Sequence, residues 1–396
     1  MSAPARWWPV IALLPALVVS AVLAQPAAPN KAAPAWTLPW DADWVTAVCF
    51  LGPKRLAAGN NLGQILVWDL PDEPSGPPPA PSRRLDGHTN TINRLVATPD
   101  GRWLISASSD RTIRYWDMQA APQGEEKLVL NARAIADANS PAGKRANKKV
   151  PPPLEVTVSL SRAVRMLDGH RDWVLGLSLS QDGSILVSGD DKGEVIVWDR
   201  PAGQELRRWK VKGWCWALAL APQADRLLVA ERFPLVFDSG RHAGLKLWDP
   251  RDGKLLHDLG KDKDFSGHLF AAAAFSPDGK LLAVARGGEV DGPNGKVLLI
   301  DPVSGKKVRE LAPGHLNGAT DVVFTRDGQH IVSSGRDTTV RIWRVDDGTL
   351  VKELGQPRGG QFKDWFHSVA VSPDRRWIAA ADMAGQVQVW TWDNTK

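Results

Sequence analysis

Residues 85–118, LDGHTNTINRLVATPDGRWLISASSDRTIRYWDM, constrain the fold more than any other stretch, because they hold one complete unit to which the rest of the chain aligns. The unit opens on Gly87-His88 and closes on Trp116-Asp117. Three short apolar runs lie between, at 92–97, 103–107 and 112–116, separated by Pro99-Asp100-Gly101 and Ser109-Asp110-Arg111. Such clusters of Pro, Gly, Asp and Ser form tight turns, so the unit predicts three antiparallel strands, a, b and c. Strand a of successive units begins at Val45, Ile92, Val174, Cys215, Phe270, Ala319 and Phe366. Strand c closes at Trp68, Trp116, Trp198, Trp248, Ile300, Trp343 and Trp390. The a–b turns recur as TPDG, SQDG, SPDG, TRDG and SPDR. A unit of this length repeated seven times cannot bury its faces alone and must stack on its neighbours.

The unit resembles the WD-repeat family, in which each repeat is one four-stranded propeller blade. The resemblance implies an all-β, seven-bladed β-propeller of four-stranded antiparallel blades. It also implies a buried network in each complete repeat, made by a His before strand a, a Ser or Thr on strand b, an Asp in the b–c turn and the closing Trp. In unit two these are His88, Ser106 (with Ser108 as the alternative), Asp110 and Trp116; in unit six they are His315, Ser333, Asp337 and Trp343. Unit three keeps His170, Ser188 and Trp198, but Lys192 stands at the Asp position and Asp191 lies one residue early. Units one, four and seven lack the histidine, and unit five has His268 with Ile300 in place of Trp. A Ser, a His and an Asp together invite a hydrolase reading. The Trp partner, the buried setting and the turn position of the Asp argue instead for structural wiring.

Closure follows from the two ends. The last unit stops after strand c, leaving its outer strand d unmade, while a spare strand-like segment, WTLPW at 36–40, precedes the first unit. Pairing the two removes an exposed edge, so the ring is expected to close by N-terminal strand pairing with the last blade. The composition agrees: 396 residues, 43% apolar, suit one large all-β domain, and six closing strands that use a Trp help explain 19 Trp against one Tyr.

Ahead of the propeller, residues 7–24 form an apolar run after Arg6 that ends in Val22-Leu23-Ala24. Small residues at the last and third-last positions suit signal-peptidase cleavage, giving an exported protein, periplasmic or secreted, without a membrane segment. The alternative is an uncleaved anchor, since the run just reaches bilayer-spanning length. Residues 25–35, rich in Ala and Pro, are expected to be a flexible linker, and 36–396 the propeller. Residues 71–81 and 119–161 are c–d insertions on the bottom face. The basic run at 144–149 within the longer one is expected to be a solvated loop, because no basic stripe elsewhere supports nucleic acid. Two b–c insertions, 232–243 and 286–295, belong to the top face. Cys49 and Cys215 fall on opposite sides of the ring, beyond the roughly 7 Å Cα reach of a disulfide, and are expected to be free.

The position before each strand a reads Trp44, Thr91, Trp173, Trp214, Leu269, Gly318 and Trp365. Four are Trp, and Asp43, Asp172 and Asp364 precede three of them. Ordinary packing accounts for large residues here; the binding reading is an aromatic and acidic collar around the top mouth, taking a protein or peptide ligand. Chemistry is otherwise absent: there is no HExxH, GxSxG, GxxxxGK[ST] or CxxC, and the eight His give no pair at metal-ligand spacing. Glu289, Asp291 and Asn294 offer calcium-type oxygens, as any hairpin loop of turn residues would. The docking motif of quinone-dependent dehydrogenase propellers, AxDxxxGKxxW, has its nearest match from Val197 to Trp209 and fails at the first residue, the Lys and the Trp spacing. The sequence therefore predicts a monomeric, non-enzymatic binding or assembly platform without cofactor or metal. A carbohydrate-binding propeller using the Trp collar is the alternative, followed by a quinone-dependent periplasmic dehydrogenase.

Overall fold

The computed structural model describes residues 32–40, 44–147, 149–233, 243–287, 295–355 and 365–392. The apolar segment 7–24, most of the linker, Asp43, Asp364, Lys148 and the interiors of both top-face insertions, with the calcium candidates, lie outside the described residues.

Seven sheets follow one another around a ring, each built on four antiparallel strands in the order a-b-c-d. Blade one is Val45–Phe50, Arg55–Asn60, Ile65–Asp69 and Arg83–Asp86; blade two is Ile92–Ala97, Trp103–Ser108, Ile113–Asp117 and Arg165–Leu167. Blade three is Val174–Leu179, Ile185–Asp190, Glu194–Asp199 and Gln204–Lys210; blade four is Trp214–Leu220, Leu227–Arg232, Ala243–Asp249 and Lys254–Asp258. Blade five is Phe270–Phe275, Leu282–Arg286, Gly295–Ile300 and Lys307–His315; blade six is Ala319–Phe324, His330–Gly335, Val340–Arg344 and Leu350–Leu354. Blade seven takes Phe366–Val371, Trp377–Asp382 and Gln386–Thr391 from the C-terminal end and Trp36–Pro39 from the N-terminal one. Strand a of blade four begins at Trp214, one residue before the expected Cys215.

The strand b sequences explain the stacking. A sheet with one wet face alternates apolar and polar residues, whereas Trp377–Asp382 is buried at every position and Arg55–Asn60 at all but the first, because each blade is covered on both faces. Seven apolar clusters result, one in each wedge between neighbouring blades. The outer strands face water, as in Gln204–Lys210, where nearly every side chain is exposed.

The closing strand pairs antiparallel with Gln386–Thr391, Trp36 opposite Val389 and Pro39 opposite Gln386. Leu38 is fully buried, and the Trp36 ring stacks on Trp377 with centroids 5.2 Å apart. Pro39, which lacks an N–H, is tolerated because an outer strand has no further neighbour to bond. The described end of the expected linker, residues 32–35, is not a free tether. Ala35 N–H donates to the Val389 carbonyl at 2.8 Å, Ala32 bridges to Leu354 in parallel, and the Trp390 indole donates to the Ala32 carbonyl at 3.1 Å. Blade seven has Ala380 where blades two, three and six have a Ser, so the buried Trp390 N–H takes its acceptor from the N-terminal segment.

The 119–161 insertion is not a loop. Gly124–Val129 and Glu155–Arg162 form a hairpin, with short helices Ala132–Asn139 and Pro141–Arg145 between them. Glu155–Arg162 lies parallel to Arg83–Asp86, so a segment leaving blade two extends the sheet of blade one to six strands and covers its outer edge. An ion pair between Arg84 and Glu126 at 2.6 Å fixes the attachment. Of the basic run, Lys144 and Arg145 end the second helix.

Candidate functional site

The conserved geometry of three blades starts from their closing Trp. Ser106 Oγ accepts from the Trp116 indole at 2.9 Å and lies 2.7 Å from His88 Nε2; His88 Nδ1 lies 2.7 Å from Asp110. The Asp110 carboxylate can only accept, so a neutral His88 carries its proton on Nδ1, and Nε2 accepts from the Ser106 hydroxyl, whose oxygen in turn accepts from the indole. Burial lowers the His88 pKa against the opposing pull of Asp110, consistent with a neutral ring. Blade six repeats the chain with Trp343, Ser333, His315 and Asp337 at 3.0, 2.8 and 2.9 Å. Every serine is buried and fully engaged, an arrangement that orients side chains and presents no nucleophile to solvent.

Blade three completes the same chain through a residue that sequence alignment did not select. His170 Nδ1 lies 3.0 Å from Asp190, not Asp191 or Lys192, while Nε2 and the Trp198 indole meet Ser188 at 2.6 and 2.8 Å. Asp190 ends strand b, two residues past Ser188, and also accepts the N–H groups of Lys192 and Glu194 at 2.9 Å each. The signal was an acidic residue two places after the strand b serine, where blade two has Ser108. Asp191 is pushed up to about 6 by burial and by its neighbour Asp172, and its Oδ1 is buried without a partner. We expect Asp190→Ala to lower the stability measured by chemical denaturation by about 1–3 kcal/mol, and Asp191→Asn to leave it equal or slightly higher at pH 7. Blades one and four, with Ala58 and Val229 in place of the serine, leave the indole N–H groups of Trp68 and Trp248 buried without partners.

A second feature is common to all seven blades. The a–b pairing skips one residue at the start of strand a, between Val45 and Ala47, Ile92 and Arg94, Val174 and Gly176, Cys215 and Ala217, Phe270 and Ala272, Ala319 and Asp321, and Phe366 and Ser368. A bulge re-aims the extra side chain. Here those residues are Thr46, Asn93, Leu175, Trp216, Ala271, Thr320 and His367, and all seven line one cavity of about 380 Å³ at the top of the central channel.

The four Trp of the sequence-derived collar do not share this mouth. Trp44 and Trp365 line it, Trp44 with 47% of its surface exposed. Trp173, 51% exposed, lies instead with Asp172 in a hollow of about 370 Å³ between blades two and three, beside Asp110, Arg111 and Arg171. Trp214 lines neither; its neighbour Trp216 takes the place in the mouth because it is the residue that the bulge turns inward. Asp172 faces Lys192, its carboxylate 3.3 Å from the ammonium, so it adds no acidic character to the mouth. Among the described residues the mouth carries guanidinium groups: Arg336 stacks on Trp365 at 4.4 Å and Arg232 on Trp216 at 4.7 Å. Both cysteines are free, and burial pushes the Cys49 thiol up to about 12.

Seven four-stranded blades make the chain a seven-bladed β-propeller, and three of them carry the wired Asp–His–Ser–Trp chain that the resemblance to the WD-repeat family implied. The WD domain, G-beta repeat family matches residues 79–117, 161–199, 305–344 and 354–391, and each match ends on strand c of a blade, namely two, three, six and seven. The small ribosomal subunit protein RACK1 of Drosophila melanogaster is 26% identical over 324 residues, which span 76% of this chain and 93% of that protein. The protein of the same name from Neurospora crassa is 25% identical over 326 residues, spanning 76% of this chain and 94% of its own.

Proposed function

We propose that this protein is a non-enzymatic binding platform, exported from the cytoplasm as a monomer, that holds a protein or peptide partner at the top mouth of the channel. The observation that carries the reading is the bulge repeated in all seven blades, which delivers one side chain per blade into a single cavity beneath an exposed Trp44. The relatives are named as proteins of a ribosomal subunit, that is, as parts of a larger assembly; we carry over the use as an assembly part and leave the partner open. Cleavage after Ala24 would leave Gln25 as the first residue of the mature chain, which N-terminal sequencing of the protein recovered from its producing cell checks.

Trp44→Ala tests the mouth. A half-exposed ring contributes little to folding, so the melting temperature is expected to hold, while partner binding falls by about 2 kcal/mol or more, as for an aromatic anchor at an interface. Unchanged capture of the partner by Trp44→Ala and by Trp216→Ala would assign binding to another face.

A further inference from the structure

The residues lining the mouth carry three guanidinium groups, Arg94, Arg232 and Arg336, and one carboxylate, Glu231. Glu231 is already engaged, accepting from the Gly213 N–H at 3.1 Å and from the Lys246 ammonium at 2.5 Å. Arg94 is the least satisfied of the three. It sits at the throat, lining both the mouth and the cavity of about 260 Å³ below it. Among the described residues it makes no ion pair, and its hydrogen bond is a long one, 3.4 Å to the Ala271 carbonyl. The equivalent places of the other blades hold Ala47, Gly176, Ala217, Ala272, Asp321 and Ser368, so a cation here is not required by packing. The throat's own carboxylate, Asp321, lies near enough for the charge of Arg94 to oppose the rise that burial gives its pKa, but its hydrogen bonds come from the N–H groups of Val322 and Val369 at 3.0 Å each, and none joins it to Arg94. Beside Arg94, His367 Nε2 is buried without a hydrogen-bond partner.

A partly buried guanidinium with donors to spare is a poor resting arrangement and a good receptor for a carboxylate, which it binds through two parallel N–H···O bonds. The stacked pairs Arg232–Trp216 and Arg336–Trp365 add apolar faces for an aliphatic stem with positive charge alongside. A cavity of this size sits near the low end for ligand sites and admits side chains rather than a folded domain. Resting on the mouth-binding reading above, we infer that the occupant is an acidic peptide segment whose carboxylate side chain enters the throat and pairs with Arg94.

The test uses the full chain and three fluorescently labelled peptides, hexaglutamate, hexaglutamine and hexalysine, read by anisotropy at low and moderate salt. Hexaglutamate is expected to bind, more weakly as salt rises, and its affinity to fall about tenfold or more in Arg94→Gln while staying unchanged in Arg111→Gln, which alters the neighbouring hollow. Arg94→Lys, which keeps the charge and loses the fork, should fall between them and serves if Arg94→Gln melts early. Hexaglutamate bound equally well by Arg94→Gln and Arg94→Lys would overturn the pairing. Hexaglutamine or hexalysine bound at least as tightly, and lost in Trp44→Ala, would overturn the acidic partner and leave mouth binding standing. Failure of all three peptides would overturn the acidic segment alone, since partner capture by Trp44→Ala tests the mouth independently.

Discussion

Deleting Trp36–Pro39 is expected to drive the protein into larger oligomers or aggregate and to abolish its native melting transition. The four residues supply the whole outer strand of blade seven, with the closing pairs from Trp36–Val389 to Pro39–Gln386. They also fill the wedge between blades seven and one, where Leu38 is fully buried and Trp36 stacks on Trp377. Truncating one core Trp to Ala costs about 3–5 kcal/mol, and truncating a Leu about 2–5 more, against a total stability of about 5–15 kcal/mol. The loss therefore approaches the whole margin, and it bares the edge of Gln386–Thr391 to any other chain. Size-exclusion chromatography with light scattering, together with a thermal melt, decides it. A monomer melting at the wild-type temperature would show that blade seven closes without the N-terminal segment.

Asp337→Ala is expected to cost about 3–5 kcal/mol, the larger effect among the wired carboxylates, because it strands several donors at once. Asp337 accepts from His315 Nδ1 at 2.9 Å, from the Leu316 N–H at 2.9 Å and from Thr339 Oγ1 at 2.8 Å, and it lies 3.4 Å from buried Arg341. Arg341 would keep Glu353 and the Pro313 carbonyl, at 2.9 and 3.0 Å, so the ring nitrogen and the backbone N–H bear most of the loss. Urea denaturation of the two proteins measures the difference, and a cost under about 1 kcal/mol would show that water or relaxation satisfies these groups. The same carboxylate gives a pH signature. Burial raises its pKa, but the His315 bond, the charge of Arg341 and the Leu316 N–H outweigh that and hold it at about 2. A carboxylate whose folded pKa is depressed stabilises the fold above its unfolded value, about 3.9, and that contribution disappears as pH falls toward the folded value. Between about pH 4 and pH 2 the wild type should thus lose stability more steeply than Asp337→Ala.

Those parts of the protein that rest on local chemistry can be read from its residues. Turn clusters such as Pro99-Asp100-Gly101 and closing residues such as Trp116 act within one unit, so blade number, strand a starts in six of seven blades, and the N-terminal closing strand were legible from spacing alone. Function was less so. The collar positions Trp44, Trp173, Trp214 and Trp365 share one alignment column, yet the structure keeps only Trp44 and Trp365 in one mouth, because orientation at the start of strand a is set by a bulge that has no residue signature: the bulged residues range from Ala271 to Trp216. Asp190 escaped for a related reason, since the carboxylate on His170 is chosen by which end of strand b comes nearest in space, and sequence offset names only one of two solutions. Ala32 could not be read at all, as a carbonyl carries no side-chain mark and is recruited only because blade seven lacks a serine. Strand and turn propensities are fixed by neighbours in sequence, whereas which side chain faces the channel and which acceptor meets a buried indole depend on contacts between blades far apart along the chain, and those exist only once the ring has closed.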